Sequence, residues 1–317
     1  MNITGLVGAL LPVFFVLALG YIAGRRHAFD ADQAAGLSKL ALGFALPAAL
    51  FVSMTEIKRD LLLRQGWLVL ALLIAHVGLF LVAWLILRRL KSLQGVSAII
   101  CALLLATSAT PIFGIAVLQP LLGDTSAGTV GLVALAINCV MPLAIILLEI
   151  ASAHLQSGQV FPPDHGSPLV GGLKAGFKSP LLWGPVLGIV VVLLGVHIPQ
   201  GIASSFEMIG SATSGVAVFT VGLTLASHSF HLSETVIIGT IGRIAIQTLV
   251  LFFFFHLFHV SGPFAREALV CTSFPMATTV VLFASKYKSM EAETASILLL
   301  STISLFVSVP LTIALGS

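Results

Sequence analysis

Two prolines stand inside runs of small and polar residues in otherwise apolar segments. Pro111 closes Ala106-Thr107-Ser108-Ala109-Thr110-Pro111, and Pro275 lies within Cys271-Thr272-Ser273-Phe274-Pro275-Met276-Ala277-Thr278-Thr279. A proline in a helix interior removes one backbone hydrogen bond and clashes with the carbonyl a turn earlier, at a cost of about 3 kcal/mol. In hydrocarbon the freed backbone groups still need partners, so irregular backbone at that depth lines a cavity or is buried in protein. Either proline alone reads as a packing kink; two in matching places read as a site. Each is expected to head a new half-helix, where its missing N–H is not needed, with the N–H groups around Phe113-Gly114 and Ala277-Thr278 turned to the centre. Two such N-termini, each carrying about half a positive charge, suit an anion without any Lys or Arg. The hydroxyls of Thr110, Ser273, Thr278 and Thr279 add donors, and Gly114 lets backbone approach a ligand closely. Asn138, four residues before Pro142, offers an amide that can donate to a carboxylate; its plainer role is an interhelical hydrogen bond.

The elements that position these residues are membrane spans. The chain has 317 residues, 58% hydrophobic and 9% charged, with a mean hydropathy of +1.12, against about 25% charged residues in a typical soluble domain. Apolar runs of 18 residues or more fall near 6–24, 37–55, 67–87, 97–121 and 128–150, then 180–197, 203–226, 235–258, 264–285 and 293–315. The expected fold is all-α and integral to the membrane, with ten spans. It divides into a first five-helix repeat (1–152), a polar, Gly- and Pro-rich linker (153–178) and a second repeat (179–317). Eleven of the 15 Lys and Arg, including Arg25, Arg26, Lys39, Lys91, Lys174 and Lys178, gather on one face, while Lys58, Arg59, Arg64 and Arg266 lie on the other. Cytoplasmic loops carry the basic excess, so the linker is expected inside and both termini outside. Because five is odd, the second half crosses in the opposite sense to the first. One register relates the halves: a shift of 168 sets Pro12 on Pro180, Gly20 on Gly188, Phe51 on Phe219 and Pro142 on Pro310, and a shift of 164 sets Pro111 on Pro275. Inverted repeats with broken helices in corresponding positions are the sequence mark of a carrier with a central site.

All twelve acidic residues read as loop or span-end positions, Glu267 among them, which argues against a carboxylate relay and against a cationic substrate. Arg243 falls about eight residues inside its span, where it either snorkels to the cytoplasm or pairs with an anion on the inward path. His76 is the one His near mid-membrane, a structural side chain or a proton carrier. His228/His231 and His256/His259 sit at span ends and read as interfacial rather than as metal ligands. Cys101, Cys139 and Cys271 read as small buried hydrophobes, and Leu251-Phe252-Phe253-Phe254-Phe255 as lipid-facing surface. No basic stretch supports nucleic-acid binding. Neither HExxH nor GxSxG nor a P-loop occurs, so no enzyme is expected. No cofactor is expected beyond a coupling ion, Na+ or H+, which the sequence leaves unassigned.

The chain resembles the auxin efflux carrier family, in the bacterial branch that includes malonate and malate carriers. The resemblance lies in Ser273-Phe274-Pro275-Met276-Ala277, Phe283-Ala284-Ser285-Lys286-Tyr287, Ser301-Thr302-Ile303-Ser304-Leu305 and Pro310-Leu311, together with Thr110 to Gly114, Asn138 to Pro142 and Pro12 to Gly24. It implies two inverted five-helix repeats, a scaffold part and a transport part, fourth and ninth helices crossing at their breaks, carboxylate substrates and often a dimer. Ser108-Ala109-Thr110 stands where many relatives have an Asn, and Gly215 where they have proline; both leave selectivity open. The expected function is alternating-access transport of a small mono- or dicarboxylate, such as malonate or malate, across a bacterial inner membrane. Alternatives are a sodium-coupled carrier of larger amphipathic anions, as in bile-acid symporters, and a non-transporting membrane sensor.

Overall fold

A computed structural model of the chain describes residues 3–55, 59, 63, 65–90, 93, 95–123, 126–156, 180–227 and 230–315. The expected linker falls largely outside them, as do Lys58, Arg64, Lys91, Lys174, Lys178 and His228. The described elements are helices. The first half holds α1 (Ile3–Arg25), α2 (Ala31–Leu40), a π-helical turn (Ala41–Ala45), α3 (Leu46–Thr55), α4 (Gly66–Leu87), α5 (Val96–Ala106), α6 (Thr110–Leu122) and α7 (Ser126–Gln156). The second holds α8 (Pro180–Leu194), α9 (Gln200–Gly210), α10 (Ala212–Ala226), α11 (Glu234–Leu257), α12 (Pro263–Cys271), α13 (Thr278–Lys286), α14 (Glu291–Ile303) and α15 (Leu305–Leu315). Local chemistry sets several starts. Asp30 and Gln33 form a reciprocal capping box at α2, with N–H to side-chain distances of 2.8 and 3.0 Å, and Ser233 caps α11 by accepting from the Val236 N–H.

Among the described residues, five helical stretches are long and apolar enough to cross a membrane: Asp32–Val52, Gly66–Leu87, Gly128–Ser152, Gln200–Ala226 and Glu234–Leu257. The pair α14 and α15, bent by 61° at Ser304, makes a sixth. Ten spans were expected, and two of the remaining stretches are broken. Residues 97–121 and 264–285 are each two half-helices, and α12 and α13 have nine residues apiece, about 14 Å each at 1.5 Å per residue, half of a hydrocarbon core of about 30 Å. Two further stretches expected to be unbroken are interrupted, at Ser211 between α9 and α10 and at Ser304. The phenylalanine run is also only partly lipid-facing. Helical periodicity turns Phe252 and Phe253 outward but buries Leu251 and Phe255, four residues apart.

Packing sorts the helices into two bodies. In one, α1 lies along α10, and α3 packs on α8 and α9. In the other, α4 to α7 pack with α11 to α15. The bodies meet where α7 touches α3 and α8, and where α6 touches α1 and α10. Glycines hold the first body together at backbone range, and they do so reciprocally. A Cβ on Gly20 would collide with the Phe219 carbonyl, and one on Gly188 would lie 2.8 Å from the Phe51 carbonyl oxygen. These are the two residue pairs that the 168-residue shift superimposes, each glycine now seated against the other half's phenylalanine.

Candidate functional site

The second body contains the two breaks, which cross. Helix α5 ends at Ala106 and α6 begins at Thr110; α12 ends at Cys271 and α13 begins at Thr278. Between them an isolated antiparallel bridge joins Ser108 to Met276, with the Ala109 N–H donating to the Pro275 carbonyl at 2.7 Å. Pro111 is the second residue of α6, in the first turn as expected. Pro275 departs from expectation. It lies within the break, three residues before α13, and its task is to present a carbonyl to the opposite break rather than to head a helix.

Several freed backbone groups at the crossover find partners, as burial demands. Thr110 Oγ1 donates to the Cys271 carbonyl at 3.2 Å and also meets Ser108 Oγ at 2.7 Å. Ser308 Oγ donates to the Ser273 carbonyl at 3.1 Å, and the Met276 N–H reaches Ser301 Oγ at 3.4 Å. Two residues of α11, one turn apart, hold one break each: the Arg243 guanidinium donates to the Phe274 carbonyl, and Gln247 Nε2 donates to the Ala106 carbonyl at 3.4 Å. Arg243 is fully buried, so it does not snorkel. Close to the second break, Thr248 Oγ1 meets Thr272 Oγ1 at 2.6 Å.

A cavity opens beside the crossover, lined by Ser108, Ala109, Pro111 and Ile112 from the first break, Ala277, Thr278 and Thr279 from the second, and Ile137, Asn138 and Met141 from α7. The structure thus brings Pro111, Asn138, Ala277, Thr278 and Thr279 together. Thr279 Oγ1 is buried with no hydrogen-bond partner. Asn138 Nδ2 bonds back to the Ala134 carbonyl at 2.8 Å, which leaves its Oδ1 and second N–H for other partners. The first N–H groups of α13, on Thr278 and Thr279, have no intrahelical acceptor, as at any helix start.

Other expected residues stand behind the cavity. Thr110 and Ser273 are buried and spend their hydroxyls on backbone carbonyls, Ser273 on Val270 at 2.5 Å. Phe113 is fully buried, and its N–H is bonded to the Ala109 carbonyl at 2.9 Å. Gly114 faces α7, where a Cβ would lie 2.6 Å from Val130 Cγ2; it lets α6 approach α7 and does not line the cavity. His76 lies apart. Its Nδ1–H donates to the Leu72 carbonyl at 2.8 Å, and it shares with Gln247 a small enclosed space walled by Ala75, Leu79, Val250 and Leu251.

Two features escaped the sequence. A second cavity lies between Ser38, Ala41, Ala217, Thr220 and Thr224, from α2, the π-helical turn and α10, and Ile112, Thr278 and Leu282 of the second body. Ile112 and Thr278 line both cavities. The available signal was Thr220 and Thr224, four apart in an apolar span, but both hydroxyls bond back along their own helix, at 2.7 and 3.0 Å, as in any membrane helix. The other feature is Glu267, read as a span-end carboxylate. It lies one turn into α12 yet is buried, and it accepts from the Thr129 hydroxyl of α7. Sequence position placed it correctly along the span, but only the packing of α12 on α7 covers it.

Apolar helices in two bodies, with a pair of broken helices crossing beside polar-lined cavities, define a membrane transport protein. The comparisons name the family. The membrane transport protein family matches residues 6–168 and 169–313, and the chain belongs to it, the auxin efflux carrier family of the sequence resemblance. It is 32% identical over 312 residues to the uncharacterized transporter YfdV of Escherichia coli strain K12, covering 98% of this chain and 97% of that one; the Shigella flexneri protein of the same name matches equally. It is also 26% identical over 336 aligned positions to the mouse lysosomal cholesterol signaling protein, covering 98% of this chain and 37% of that one.

Proposed function

We propose that the protein is a secondary carrier for a small organic anion, a mono- or dicarboxylate such as malonate or malate. It works by alternating access, with the substrate at the crossover cavity. The observation that carries this reading is the convergence of the α6 and α13 starts on a cavity that also holds the unpartnered hydroxyl of Thr279 and the amide of Asn138. No acidic side chain lines either cavity, and a carboxylate is the ligand such donors suit. The two cavities share Ile112 and Thr278, which fits a site approached by turns as the two bodies move.

The same reading takes the fold as ten crossings in two inverted repeats. The matching order of elements in the two halves and the reciprocal seating of Gly20 on Phe219 and Gly188 on Phe51 support it. On this reading both termini lie on the periplasmic side of a bacterial inner membrane, a topology that the distribution of basic residues supports. Assembly as a homodimer belongs to the same proposal. A ligand sensor is the second reading, favoured by the name of the mouse relative.

Uptake of labelled malonate and malate into proteoliposomes decides between them, with and without an inward sodium gradient, a pH gradient and an imposed potential. Saturable uptake, reduced at least about tenfold in Asn138→Ala, is the expected result, and the gradient that accelerates it identifies the coupling ion. Binding without flux of any labelled acid would overturn the carrier reading and leave the sensor.

A further inference from the structure

A broken helix has two ends at its break, and they carry opposite charge. The starts of α6 and α13 each bring about half a positive charge to the crossover, but the ends of α5 and α12 each bring about half a negative one. At the centre the four ends cancel, so the half-helices alone do not make the crossover prefer an anion. Something else must set the sign of its field.

The structure supplies one candidate. Among the described residues Arg243 is the Lys or Arg side chain that protein covers completely. It donates to the Phe274 carbonyl, just past the carbonyl end of α12, one residue from Pro275 and three from cavity-lining Ala277. Its Nε and Nη1 have no partner, and the buried carboxylate Glu267 is engaged by Thr129. Holding a break carbonyl does not require a charge, since Gln247 holds the Ala106 carbonyl one turn further along the same helix with a neutral amide. A buried cation without a counter-ion is costly, and a charge kept there is a mark of function in a membrane span.

We propose that Arg243 is the residue that makes the crossover select anions. It offsets the carbonyl end of α12 and adds a full positive charge, so that the starts of α6 and α13 face the cavity as a net positive pole. Arg243 is a positioning and charge-setting residue; it does not line the cavity, and it acts through the Phe274 carbonyl and through space in a low-dielectric interior. The inference rests on the crossover being the anion site and adds where its charge preference comes from.

The test is a charge series at constant shape: malonate, its monoamide malonamate and the neutral diamide malonamide, with affinities measured by calorimetry on the full-length protein in lipid nanodiscs. Arg243→Gln removes the charge and leaves a shorter amide donor at the same position of α11. Its expected effect is a loss of about tenfold in affinity per unit of ligand charge: about a hundredfold for malonate, about tenfold for malonamate and none for malonamide. Arg243→Lys keeps the preference. A loss equal across the three ligands would mean that Arg243 only shapes the break and would overturn the inference, as would an unchanged anion preference in Arg243→Gln. The unmodified protein gives a check that no folding defect can confuse: it must bind malonate more tightly than malonamate. Equal affinities there overturn the inference alone, whereas no preference for either anion over malonamide overturns the crossover anion site and the inference with it.

Discussion

The two bodies are made of similar apolar residues and solve opposite problems. Around α1, α3, α8 and α10, glycines let one helix lie on another's backbone: a Cβ on Gly20 would meet the Phe219 carbonyl, one on Gly222 the Leu17 carbonyl, and one on Gly184 would lie 2.6 Å from the Pro47 carbonyl oxygen. Backbone hydrogen bonds there stay inside each helix, and small residues permit close approach, the usual means of packing in lipid, where no hydrophobic force joins helices. Around the crossover the helices are broken, and side chains from α6, α11, α14 and α15 take up the freed backbone groups. The first body is joined by close backbone contact. The second is held by hydrogen bonds that a ligand can join, and among the described residues it carries the buried side-chain polar atoms that lack partners, on Arg243, Gln247 and Thr279.

Substitutions sharpen that contrast. The largest effect belongs to the glycine seam. Gly20→Ala forces a methyl into the Phe219 carbonyl and should cost about 3 kcal/mol, the top of the usual overpacking range, seen as a lower unfolding temperature in detergent; an unchanged temperature would mean that the helices part easily there. Next is Gln247→Leu, which strips the Ala106 carbonyl of its donor and should destabilise by about 1–3 kcal/mol, while the same change at a lipid-facing position of α11 costs little. Thr279→Val separates stability from binding. Its hydroxyl satisfies nothing in the unliganded protein, so unfolding should be unaffected, while malonate affinity should fall about two- to tenfold; a destabilised variant with normal affinity would assign Thr279 to packing.

The helical stretches of the fold were legible because their signal is long. The runs expected at 67–87, 203–226 and 235–258 lie within a few residues of α4, of α9 with α10, and of α11. The breaks at Pro111 and Pro275 were legible from proline among small polar residues. What was not legible depends on partners far along the chain. Nothing near Pro275 says that its carbonyl will meet Ala109, nothing near Arg243 says that its guanidinium will reach Phe274, 31 residues on, and Gly114 looks the same in sequence whether it faces a ligand or Val130. The interruptions at Ser211 and Ser304 were missed for a different reason, since a serine in an apolar run does not by itself end a helix.

Two smaller effects complete the contrast. Gly215 on α10 has open space where a Cβ would stand, unlike Gly20 in the same body. Gly215→Ala should therefore stabilise by about 0.5–1 kcal/mol, and destabilisation would show that the gap is filled in the working protein. His76→Gln should leave the pH dependence of uptake unchanged, because its Nδ1–H is already committed to the Leu72 carbonyl and its ring lines neither crossover cavity. A flattened pH profile would instead make His76 the coupling group.

The crossover cavity itself is tested most directly by chemical protection. Ala277 lines it, so Ala277→Cys, in protein whose Cys101, Cys139 and Cys271 are replaced by Ala, should react with a small charged thiol reagent, and malonate should slow that reaction in a saturable way at the concentrations that saturate uptake, while malonamide should not. Labelling that proceeds at the same rate under saturating malonate, in protein that still transports it, would place the substrate elsewhere.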